Sequence, residues 1–130
     1  MKSKVINLVE IKKITDKDVA QKICIAHNID LKPEYYVIAT IEGGEVLHCA
    51  VFEYSGKTGK IHAISGFEGD VLMLDGLCRA ILNIMDINGV KDIYLPLKYA
   101  RLAQKVGFKA QNDCFYLRLD GFFKCGCHHN

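Results

Sequence analysis

Residues 61 to 97, IHAISGFEGDVLMLDGLCRAILNIMDINGVKDIYLPL, constrain the fold more than any other stretch of the chain. They read as a strand, a glycine-punctuated loop, a long amphipathic helix and a second strand. A unit of this length closes only as a parallel pair, with the helix crossing one face of the sheet. The loop then sits where backbone N–H groups and the helix dipole favour an anion, so activity is expected there first. Asp70 suits an N-cap, and the helix is expected from about Val71 to Asn88. Its buried stripe is Val71, Leu74, Leu77, Cys78, Ile81, Leu82 and Met85, and Gly89 supplies the left-handed residue after it.

The rest of the chain builds a sheet around that unit. Val5 to Ile14 alternates as a strand, and Thr15 opens a helix with Asp18 in a capping-box arrangement. Val19, Ala20, Ile23 and Cys24 give that helix its apolar face, and Asn28 ends it; residues 29–34, with Pro33, are a connection. Tyr35 to Glu42 and Glu45 to Tyr54 are strands joined at Gly43-Gly44, a two-residue hairpin signal. Both faces of the second are apolar, so it should be central. Ser55 to Gly59 turns into a third strand, Lys60 to Ser65, completing an antiparallel meander. Lys91 to Leu95 is a strand on which pairing is expected to stop at Pro96. Tyr99 to Val106 is a short helix closed by Gly107, with Phe108 making the hydrophobic contact of a Schellman motif. Phe108 to Ala110 and Cys114 to Leu119 are strands around a turn at 111–113.

The length of 130 residues suits one domain over residues 1–120, followed by a Cys/His-rich tail over 121–130. A net charge of +2, with Lys and Arg scattered, lacks the basic stripe of a nucleic-acid binder. No apolar run approaches the roughly 20 residues needed to span a bilayer. The start MKSKVINLVEIKK has no continuous hydrophobic segment or cleavage site, so a cytoplasmic location is expected. Cys24, Cys49 and Cys78 sit among apolar neighbours, as reduced core cysteines do.

The order strand, helix, three-strand meander, long helix, strand, short helix, two strands resembles the GNAT family of acyl-CoA-dependent N-acyltransferases. Tyr99 to Phe108, YARLAQKVGF, looks like the family's last helix and the Gly-Phe after it, and GLCRAIL, from Gly76, looks like the start of its long helix. The resemblance implies an α/β fold with a mixed sheet, an antiparallel meander plus a parallel βαβ unit whose two strands splay apart. It implies acetyl-CoA, or a related thioester, between them, held through Ile64, Ser65, Gly66, Gly69 and Val71. The family clasps the pyrophosphate with Gln/Arg-x-x-Gly-x-Gly/Ala. Here Gly66-x-x-Gly69-x-Val71 keeps one family glycine, as does the alternative register Met73-x-x-Gly76-x-Cys78. In the first register Glu68 and Asp70 flank the phosphates, an unfavourable pairing unless they point away. The tyrosine that protonates the leaving thiolate in the family has Ala103 in its place, and Tyr99 stands one helical turn earlier.

Attack of an amine on a thioester needs a base, and by the resemblance His62 and Glu53 are best placed for that role. On their residue types alone they read equally as a partly exposed strand residue and a solvated strand end; His48 reads as a hydrogen-bonded core residue. The tail GFFKCGCHHN offers Cys125, Cys127 and His128 as zinc ligands or as a reactive thiol, against the plainer reading of an inert end. Three functions follow. One is acyl transfer to a small-molecule or protein amine. The second is a non-catalytic GNAT-like module that binds a ligand or regulates. The third is a metal or thiol protein acting through CGCHH. Pairing of the last strands across subunits would give a homodimer.

Overall fold

The computed structural model describes residues 9–66, 69 and 71–120. Chain order is β1 (Val9–Ile14), α1 (Lys17–Ala26), β2 (Tyr36–Glu42), β3 (Glu45–Ser55), β4 (Thr58–Ile64), α2 (Val71–Ile87) and β5 (Asp92–Pro96). A 3-10 turn (Leu97–Tyr99), α3 (Ala100–Val106), β6 (Lys109–Ala110) and β7 (Cys114–Arg118) follow. The strands form one sheet in the order β1-β2-β3-β4-β5-β7-β6. β4 and β5 run parallel, and the other neighbouring pairs are antiparallel. This is the expected meander joined to a βαβ unit, and the crossover helix is α2.

The helices occupy both faces. α2 and α3 cover one, where Leu74, Leu77, Ile81, Leu82 and Met85 pack on Ile38, Phe52, Ile61, Ile93 and Leu95. α1 covers the other, seating Ala20 and Cys24 on Val37 and Val51. β3 is central as its two apolar faces require, and Ala50, Val51 and Phe52 are fully buried. Gly59 on β4 allows α2 to approach closely: a Cβ there would stand 2.6 Å from Met85 Sδ.

Several boundaries differ from expectation. Asp16, not Thr15, caps α1, its carboxylate accepting from the N–H groups of Asp18 and Val19. The β3–β4 turn is tighter than Ser55 to Gly59, since Ser55 pairs with Thr58 and Gly56 takes the left-handed φ of 59°. Pairing does not stop at Pro96, which faces Cys114 of β7; it stops on the β4 side, two residues earlier. Proline lacks only the donor, so it is tolerated where one flank of the strand is unpaired. α3 begins after Tyr99 rather than with it. Its end is as expected: Gly107 has φ 115°, and the N–H groups of Gly107 and Phe108 both donate to Ala103 O. None of the described helices is long and apolar enough to cross a membrane.

Candidate active site

The site follows from a fork in the sheet. Parallel pairing of β4 with β5 runs Thr58–Asp92, Gly59–Ile93 and Lys60–Tyr94, and then ends. β4 continues to Ile64 and β5 to Pro96, so the two strands part toward their carboxyl ends. At the same level the pairing of β4 with β3 shifts register. Phe52 pairs with Ile61 and Val51 with Ala63, which leaves His62 as an extra residue in a β-bulge.

The bulge aims His62. Ile61 and Ile64 point into the core under α2, whereas Ala63 packs with the α1-side cluster. His62 lies on that α1 side, its ring stacked on Tyr35 with centroids 4.3 Å apart and planes inclined by 14°. Its Nε2 is 2.7 Å from Glu53 Oε2, and both side chains are about a third exposed. With Nε2–H donating to the carboxylate, a neutral imidazole would carry its lone pair on Nδ1. The two residues named as base candidates are thus brought together, and Tyr35 holds the ring plane.

Tyr99 stands on the other face. It is 2% exposed, and its hydroxyl accepts a 2.8 Å hydrogen bond from Ile64 N–H. Ser65 explains why that N–H points into the fork. Ser65 N–H donates to Cys49 O on β3, and its Oγ accepts from Cys49 N–H, both at 2.8 Å. Successive amides of an extended chain alternate sides, so Ile64 N–H turns outward, where β5 has already diverged. Burial pushes the Tyr99 hydroxyl above its ordinary pKa, and the bond at Ile64 works in the opposite direction.

Beyond Ile64 the chain turns. Gly66 takes φ 68°, and Gly69 N–H donates to Gly66 O at 2.9 Å. The His48 ring lies against Gly66, so close that a Cβ there would come within 2.6 Å of Nδ1. His48 is therefore a half-buried neighbour of this turn rather than a residue of the inner core. Val71 opens α2, whose first turn contains no acidic residue. Glu68 and Asp70 lie outside the described residues, as do Cys125, Cys127 and His128. Among the described residues no group of three or more His, Cys, Asp or Glu side chains could hold a metal ion.

A cavity of about 560 Å³ opens on the α1 side, between β1, α1 and the segment leading into β2. Tyr35 lines it and also stacks on His62, so the cavity and the imidazole share a wall. Sequence reasoning passed over this segment as a connection. The short alternation at 29–32 is cut by Pro33 and so does not read as an element, and the cavity exists only once three elements converge.

No protein-family model and no curated protein matches the sequence, whereas solved structures match the fold. An N-acetyltransferase from Staphylococcus aureus Mu50 superposes with a TM-score of 0.65 at 15% identity, over 87% of this chain and 99% of that one. An IAA acetyltransferase from Bacillus cereus matches with 0.64 at 16%, over 81% and 79%. A GNAT-family acetyltransferase from Elizabethkingia anophelis, solved with acetyl-CoA bound, matches with 0.62 at 12%, over 85% and 98%. The chain has the fold of the GNAT acetyltransferases.

Proposed function

Starting from a GNAT fold whose central strands part beside a His–Glu pair, we propose that this protein transfers an acyl group from an acyl-CoA thioester to an amine. The fork past Lys60–Tyr94 carries the reading. It leaves residues 61–63 of β4 without a strand partner on one side, and an extended ligand can pair with such an edge. The Gly66–Gly69 turn and the amino end of α2 would receive a phosphate group at the far end, which requires the carboxylates of Glu68 and Asp70, adjoining it in sequence, to face away. Ile64, Ser65, Gly66, Gly69 and Val71 would hold the cofactor along this line. The acetyl-CoA bound to the Elizabethkingia protein supports the same direction.

Bound acyl-CoA would supply the carbonyl carbon to which the amine nitrogen bonds as the C–S bond breaks. The chain's own residues handle two protons of the ammonium. His62 Nδ1 accepts the first, and Glu53 stabilises the imidazolium through Nε2–H. His62 passes it to solvent and accepts the second as the amide forms; with Tyr99 reprotonated from solvent, one proton is released overall. Tyr99, kept protonated by burial, offers its hydroxyl proton to the departing sulfur and regains one afterwards. A positioned base contributes on the order of 100- to 10,000-fold.

Thermal denaturation with acetyl-CoA tests the binding step, because a ligand at 100 times its Kd stabilises by about 2.7 kcal/mol. A shift is expected, together with free thiol released in step with amine acetylation. No shift at millimolar acetyl-CoA would remove the transferase reading and leave the fold.

A further inference from the structure

The cavity beside Tyr35 carries charge of one sign. Lys13, Lys17 and Lys32 line it, and no lining residue is acidic. None of the three forms an ion pair with a carboxylate among the described residues. Asp16 and Asp18 adjoin Lys17, and Asp30 and Glu34 lie two residues from Lys32, but none of the four lines the cavity, and Asp16 accepts from the N–H groups of Asp18 and Val19. Lys13 is held over the Tyr36 ring, its Nζ 4.7 Å from the centroid. The three lysines come from different elements, one on β1, one on α1 and one in the segment before β2. Beneath them the lining includes the apolar Ile14 and Leu31 and the Tyr35 ring.

We propose that this cavity binds the acyl acceptor, and that the acceptor is a small amine carrying a carboxylate on an apolar body. The assignment rests on the transferase reading only for the word acceptor. The preference for a carboxylate follows from the cavity itself. Three ammonium groups in a lining with no carboxylate favour an anion, and 560 Å³ falls in the range of small-molecule pockets. The ligand's apolar body covers Ile14 and Leu31. Its amine end passes the edge of the Tyr35 ring toward the imidazole stacked on that ring, so substrate length is read between the lysines and His62.

Binding of 6-aminohexanoate and L-phenylalanine, each against hexylamine and phenethylamine, tests this by calorimetry on the full chain without acetyl-CoA. The carboxylate-bearing member of each pair is expected to bind about tenfold tighter, a difference of about 1.4 kcal/mol. The double variant Lys17→Glu, Lys32→Glu is expected to lose or reverse that preference, and Lys17→Gln, Lys32→Gln to lose it. Both lysines are exposed, so circular dichroism should show the variants folded. Equal binding within each pair, or a preference that survives the charge changes, overturns the proposal whether or not the protein acetylates anything. Lysine-dependent binding without acetylation upholds the anion site and removes the transferase reading instead.

Discussion

The hydroxyl of Tyr99 takes the Ile64 N–H at 2.8 Å, across the gap where β5 has left β4. A side chain here replaces a rung of the sheet. Tyr99→Phe would keep the ring in its buried seat and strip that amide of its acceptor. Leaving a buried donor unsatisfied costs about 1–3 kcal/mol. Urea denaturation should show a loss of that size, and acetyl transfer should fall in step with loss of the proton donor.

Glu53→Gln and His62→Gln are expected to behave alike in kinetics and mildly in stability. Exposed partly to solvent, the pair adds about 0–1 kcal/mol to the fold. As base and support, the two should lower kcat by about 100-fold or more, with His62→Gln the more severe. Steady-state rates and melting curves on the same preparations check both halves. Unchanged kcat in His62→Gln would leave the pair a surface ion contact.

Gly66→Ala should be costly for two separable reasons. A φ of 68° is strained for any L side chain, by about 1–2 kcal/mol, and the new Cβ would collide with the His48 ring. Adding His48→Ala is expected to relieve the collision and leave the backbone strain. A double-mutant cycle reads the difference directly.

Alkaline stability should report on Cys78. Burial pushes its thiol from 9.0 up to about 12. The unfolded thiol therefore ionises first, and the native state loses stability as pH rises from about 9 toward 12, by up to about 1.4 kcal/mol per unit. Below pH 9 the stability is fully present. Cys78→Ala should make the fall between about pH 8 and 10.5 shallower by about 1–2 kcal/mol, measured by denaturant unfolding.

Strand and helix order was legible because apolar spacing and glycine position answer to local physics. Of the expected stripe, Leu74, Leu77, Cys78, Ile81, Leu82 and Met85 are buried as their period requires, whereas Val71, at the helix start, is half-buried. Gly43-Gly44 turns with φ 60° and 82°. The α1 cap was off by one because Thr15 and Asp16 are both capping residues, and only geometry chooses between them. His62 and Glu53 were named by family likeness, yet their contact needs the β3–β4 register, nine residues apart in sequence. Tyr35 and the lysine-lined cavity were missed for the same reason: stacking and charge convergence arise between elements.

The pattern of β4 around its extra residue separates chemistry from folding. Ile61, Ala63 and Ile64 already seat alternately on the two hydrophobic layers, as a regular strand would with position 62 removed. Excising that one codon would leave both layers filled and remove the imidazole that stacks on Tyr35 and pairs with Glu53. In a chain of this design a single inserted residue adds a polar side chain to the sheet without any rebuilding of the core.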